Sequence, residues 1–326
     1  MKAAALSQYI HSRGFAALLM AIAVTGGVAA YSCGDIIPIT GDKGLALPSA
    51  NHWITSRLLS LAISLGLSLT VAMMTTYINR AYNVLRSMTM LFAGVFFIMQ
   101  AATPSLMNQL YGGVIACTVL IICTLILFSI YGNPDSTRRV FLMFFLAALT
   151  ALCQYTLLFY IPMLLIGCIQ MRALNLRSFL AAMTGCVTPL WIFIGLGIIT
   201  PTDLRWPDFM SYFAMMTSRE IAPIAATTAV TMIIGTLFTL LNLMKILSYN
   251  SRTRAYNGFF SLLLFATILL IIFDFVDMAV YIPLLNCCAA FQVGHFFTLR
   301  RGRRSFIGIF AIILIYIALY LWNVIS

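Results

Sequence analysis

The stretch RRVFLMFFLAALTALCQYTLLFYIPMLLIGCIQMRALNLRSFLAAMTGCVTPLWIFIGLGIIT, residues 138–200, decides the fold. Two arginines open it, Gln154 and Tyr155 interrupt an apolar run near its middle, and the connector MRALNLR restores positive charge before a second apolar run. That order predicts two short helices bent about Gln154 and Tyr155, a basic turn, and one further helix. Each arm of the bend holds about 15 residues, whereas a helix needs roughly 20 to cross a hydrocarbon core of about 30 Å. The pair is therefore expected to be tilted or re-entrant, and its bend to be covered by protein or water.

Composition extends this reading to the whole chain. Of 326 residues, 62% are hydrophobic and 8% charged, against about 25% charged in soluble domains. A water-exposed surface cannot be built from such material. Residues 1–326 are expected to form a single integral membrane domain, an all-α polytopic protein of about eleven transmembrane helices. The expected spans are 14–31, 58–78, 87–102, 110–131, 140–153, 156–170, 178–199, 221–247, 259–278, 281–297 and 306–322. Lys2, Arg13 and the apolar run ending at Cys33 also resemble a secretion signal. Ala30 stands where a lipoprotein signal wants an aliphatic residue, so the run is read as a retained span.

The formal net charge is +11, and its placement speaks for topology rather than for nucleic acid. With the N-terminus cytoplasmic, the inner connectors hold fifteen of the nineteen lysines and arginines, leaving Lys43, Arg57, Arg205 and Arg219 outside. This is the positive-inside pattern, and it puts the C-terminus outside the cytoplasm. The substantial outer loops are then 32–53 and 201–219. Eight cysteines occur without a CxxC pair, which argues against zinc or redox chemistry. No nucleotide motif appears, and cofactors are otherwise open, a divalent cation included.

Candidate site residues gather at the outer surface. Asp274 and Asp277, in IIFDFVDMAV, lie three apart and are expected to share a helix face near the outer end of a span. As an outward pair they would serve as a general base or a cation site. Alternatively, Asp277 reaches the headgroups and Asp274 bonds a neighbouring helix. Asp35 and Asp42 sit in the first outer loop, among the Gly and Pro residues of ordinary turns. His52 and Arg57 belong to the same surface. Arg205, Trp206, Asp208 and Arg219 could hold a phosphate or a sugar, arginine through its fork and tryptophan through its face; interfacial anchoring would use the same residues. Gln154 is expected to bond between helices, and RRGRR at 300–304 to pin topology or meet anionic lipid.

Over about residues 80–200 the order of features resembles the GT-C class of polyprenyl-phosphate-dependent membrane glycosyltransferases. The likeness rests on ALTALCQYTLLFYIPMLL, the basic turn MRALNLR and the proline-containing LAAMTGCVTPLWIFIG, preceded by NRAYNVLR and GNPDSTRR. It is similar, too, to an uncharacterised bacterial family of multi-pass inner-membrane proteins. The resemblance implies a catalytic acid in the first outer loop, where Asp35 stands, although Ile36 replaces the usual neighbouring acid and Asn108 a second one. It further implies an inner-membrane protein of envelope polysaccharide or glycolipid assembly, acting on a polyprenyl-phosphate-linked sugar. Membrane lipid and membrane protein partners are expected, and no nucleic acid. A non-catalytic subunit or scaffold is the alternative, and a small-molecule transporter the third reading.

Overall fold

The computed structural model describes residues 9, 11–33, 44–87, 89–204, 221–299 and 303–325. Within them the chain is all-helical, with no strand. Twelve α-helices follow one another: α1 Arg13–Cys33, α2 Arg57–Tyr82, α3 Leu91–Ala101, α4 Pro104–Met107, α5 Gly112–Ser129, α6 Thr137–Cys153, α7 Ile161–Gln170, α8 Leu176–Gly195, α9 Ile221–Ile246, α10 Ser251–Phe273, α11 Met278–Leu299 and α12 Arg303–Ile325. Short 3₁₀ turns precede α2 (Ala50–His52), α7 (Tyr155–Tyr160) and α11 (Phe275–Asp277). Eight helices, namely α1, α2, α5 and α8 to α12, are long and apolar enough to cross a membrane.

The four shorter helices, α3, α4, α6 and α7, owe their length to breaks that the side chains explain. At 1.5 Å per residue α3 is about 16 Å long, roughly half of a hydrocarbon core. Pro104 lacks the N–H that would continue it, and α4 resumes the course for one turn. Between α6 and the Tyr155–Tyr160 turn, Gln154 is extended (φ −143°, ψ 97°). The bend expected from the sequence is present at that residue.

Hydrogen bonds between connectors define two ends of the bundle. At one end Gly132 N donates to Met171 O (2.9 Å), Tyr256 Oη to Phe128 O (3.2 Å) and Asn257 Nδ2 to Val84 O (3.0 Å). Arg80, Arg86, Arg138, Arg139, Arg172, Arg177, Arg252 and Arg254 fall on the helix ends and connectors there, so it is called the arginine end. At the other, Leu110 N donates to Ser60 Oγ (2.6 Å), and Ala46 N and Leu47 N both donate to Leu152 O (3.1 and 3.0 Å). Tyr155 lies at this tyrosine end.

The core forms around α3 and α11. Every residue of α3 is buried, and 89% of the apolar window of α11 is buried against 22% for α12. Phe260 stacks on Phe291 at 4.0 Å, and Phe128 on Tyr256 at 4.4 Å. Outer helices keep apolar side chains on the surface, among them Trp191, Met244 and Phe273, each more than 70% exposed; hydrocarbon, not water, is the solvent such a face suits. α12 touches α1 through side chains, Tyr320 Oη donating to Gly26 O at 2.8 Å and the Phe310 ring standing 6.5 Å from that of Phe15.

Where helices touch most closely, a glycine is required. A Cβ on Gly185 of α8 would stand 2.7 Å from Phe141 O and 3.2 Å from Phe144 Cβ of α6. Small residues at such crossings let backbones approach where lipid supplies no hydrophobic drive for association.

Candidate functional site

Asp274 and Asp277 define the site. The sequence places both on one helix, yet α10 ends at Phe273, Asp274 is its C-cap, and Asp277 closes the following 3₁₀ turn. No glycine or proline marks that break. The cause is tertiary: Tyr155 Oη donates to Asp274 Oδ2 at 2.9 Å and also faces Asp277 Oδ2 as donor. From α11, Tyr281 Oη donates to Asp274 Oδ2 at 2.8 Å. Both carboxylates are 4% exposed. Burial of a charged group is tolerable only with such partners.

Two phenols, each with one hydrogen, thus meet carboxylate oxygens in three contacts. The Tyr155 hydrogen is shared, or a carboxyl proton completes the set. Either way the two acids act as one unit through Tyr155. Behind them Tyr160 and Thr267 hydroxyls bond at 3.0 Å, tying the same 3₁₀ turn to α10 a second time.

Around Tyr155 sits a small apolar cluster of Leu45, Leu152 and Ile199, with Leu204 at its margin. Leu45 follows residues 34–43, and Leu204 precedes residues 205–220. Asp35 and Asp42 in the first of these segments, and Arg205, Trp206, Asp208, Arg219 and Glu220 in the second, lie outside the described residues. The chain on the near side of each segment is anchored at Tyr155.

Gln154 departs from the sequence expectation, whereas Arg57 and His52 lie at the tyrosine end with the acid pair. Gln154 is buried, yet neither its amide nitrogen nor its oxygen has a hydrogen-bond partner, and the Thr156 hydroxyl next to Tyr155 is likewise unpartnered. Among the described residues the helix-to-helix bond expected of Gln154 is absent; two buried orphans flank the phenol instead, a costly arrangement in a native interior. Arg57 closes α1 by donating to Tyr31 O at 2.9 Å while lying 4.4 Å over the Tyr31 ring. His52 is exposed beside it in sequence, in the turn before α2. Gln292 receives Asn242 Nδ2 at 3.0 Å and donates to Ser261 Oγ at 3.1 Å, while His295 meets Tyr249 Oη at 3.4 Å.

Among the described residues no group of three His, Cys, Asp or Glu is arranged to hold a metal ion. The sequence marks Tyr155 as an interruption of its apolar run without indicating a partner, and Tyr281 does not stand out within its own run. A signal for Tyr281 existed, since Asp274, Asp277 and Tyr281 follow an i, i+3, i+7 spacing.

Compared with family models, with curated proteins and with solved structures, the chain matches none of them significantly.

Proposed function

We propose that this is a multi-pass bacterial inner-membrane protein of the glycosyltransferase type. It handles a polyprenyl-phosphate-linked sugar at the tyrosine end, which faces away from the cytoplasm. The supporting observation is convergence: the segments carrying Asp35 and Arg205 to Arg219 both leave the described chain from anchors on Tyr155, whose hydroxyl holds Asp274 and Asp277. A lipid-linked donor keeps its phosphate at the interface, where arginine can meet it without crossing hydrocarbon.

In this reading Asp35 is the base toward the acceptor hydroxyl and Arg205 or Arg219 holds the donor phosphate, with Trp206 and Asp208 beside them. Asp274 and Asp277, enclosed and engaged by phenols, act as positioning residues that set the geometry of the two loops. The distribution of basic residues favours the sidedness, with the arginine end cytoplasmic.

Native mass spectrometry of the protein in mild detergent tests the proposal. A polyprenyl-phosphate adduct lost on Arg205→Ala with Arg219→Ala is the expected result. Transfer that persists after Asp35→Ala removes the base assignment. The non-catalytic reading has its own support in the closure of the acid pair, since Asp274 and Asp277 are each 4% exposed and engaged by phenols. A lipid-free protein carrying a stoichiometric second polypeptide would establish that reading instead.

A further inference from the structure

At the arginine end, α6 and α8, which approach closely at Gly185, present a groove along their first turns. It has a volume of about 400 Å³ and is lined by Thr137, Arg138, Phe141, Arg177, Leu180 and Thr184. We propose that this groove binds the phosphate headgroup of an anionic glycerophospholipid from the leaflet at that end. The site is separate from the tyrosine end and does not depend on the function proposed there.

Charge and partnering carry the argument. Arg139 is already spent, its Nη1 donating to Ser129 O at 2.9 Å and Ser129 Oγ at 3.2 Å. Arg138 and Arg177 are exposed and, among the described residues, neither has a hydrogen-bond or ion-pair partner. Among the described residues no acidic one lines the groove; Asp135, nearest in sequence, stands exposed on the preceding turn and is not part of the wall. Two unspent guanidinium groups across one cleft match a phosphate, which accepts from both forks. The first turn of α6 adds amides left open because Ser136 makes no side-chain cap.

Shape selects a lipid over a free anion. Below the arginines the wall is Phe141 and Leu180, and Leu180 belongs to a surface stripe with Leu176, Met183, Val187 and Trp191, each at least half exposed. A diacyl chain would run down that stripe while its headgroup rests between the arginines. The second charge of a zwitterionic headgroup, an ammonium, would be repelled by the same pair. Basic pockets between helices at the cytoplasmic surface are the recurrent form of such sites.

The test is a titration of the full-length protein in detergent with phosphatidylglycerol and phosphatidylcholine, read by native mass spectrometry. Phosphatidylglycerol should bind about tenfold more tightly. Arg138→Ala with Arg177→Ala should erase that preference, Arg254→Ala at the same end should leave it intact, and Arg138→Lys with Arg177→Lys should keep part of it. An unchanged melting temperature in the double alanine variant, expected for two exposed residues, separates lost binding from lost fold. The proposal falls if the double alanine variant keeps the preference, if Arg254→Ala removes it equally, or if millimolar inorganic phosphate displaces the lipid.

Discussion

The phenol oxygen of Tyr155 and Oδ2 of Asp274, 119 residues apart in the chain, lie 2.9 Å from each other. Through that contact the bend after α6 is locked to the break between α10 and α11, two irregular points that neither helix pair would hold alone. Removing one hydroxyl should therefore disturb both.

Tyr155→Phe is expected to destabilise the protein by about 1.5–3 kcal/mol, the range for a hydrogen bond to a charged group. Tyr281→Phe should cost less, since Asp274 keeps Tyr155. Denaturation in detergent, followed through a double-mutant cycle with Asp274→Asn, measures both. A Tyr155→Phe protein as stable as the parent would show that the phenol carries no weight.

Two glycines should respond in opposite directions to alanine. At Gly185 the new Cβ meets the backbone oxygen of Phe141 at 2.7 Å, so Gly185→Ala should cost about 1–3 kcal/mol through overpacking. At Gly66, within α2, a Cβ meets nothing within 4 Å. Gly66→Ala should then stabilise by about 0.5–1 kcal/mol, the helix preference of alanine over glycine. Thermal unfolding of the two variants side by side decides the matter, and equal shifts would refute the close crossing.

Asn286 Nδ2 donates to Gln100 Oε1 at 3.0 Å in the buried contact of α11 with α3. Asn286→Leu alone leaves the Gln100 amide without its partner and should cost about 1–3 kcal/mol. Pairing it with Gln100→Met should recover most of that loss, because apolar replacement of both members removes the desolvation penalty. If the double variant is no better than the single one, packing rather than polarity governs the contact.

Sidedness can be read with an impermeant maleimide in a cysteine-free background. His52 and Arg254 are both exposed and lie at opposite ends of the bundle. His52→Cys should label in intact cells, and Arg254→Cys only after the membrane is opened. The reverse order would invert the proposed orientation.

Much of the helical order was legible in the sequence, because each apolar run exceeds what any soluble fold would expose and polar connectors punctuate the runs. The bend at Gln154 could be placed, since polar residues interrupt an otherwise continuous run there. The break after Phe273 could not. Nothing in IIFDFVDMAV ends a helix locally, and the agent that ends it is a phenol from another part of the chain. Likewise the cap of α8, in which Asn175 Oδ1 accepts from Ser178 N and Ser178 Oγ accepts from Asn175 N, was passed over within a connector read for its charge. The acid pair was identified from the rarity of such groups in apolar surroundings, while its partners required knowledge of which helices meet.

The bond from Tyr320 to the Gly26 carbonyl joins residues 294 positions apart, and it bears on the order of events during synthesis. A ribosome delivers α1 long before α12, so the face of α1 that receives Tyr320 must wait among lipids or chaperones while every intervening helix is inserted. Closure of the bundle is consequently a late, post-insertion step, and a chain stalled before α12 would hold its first helix by fewer contacts than the finished protein does.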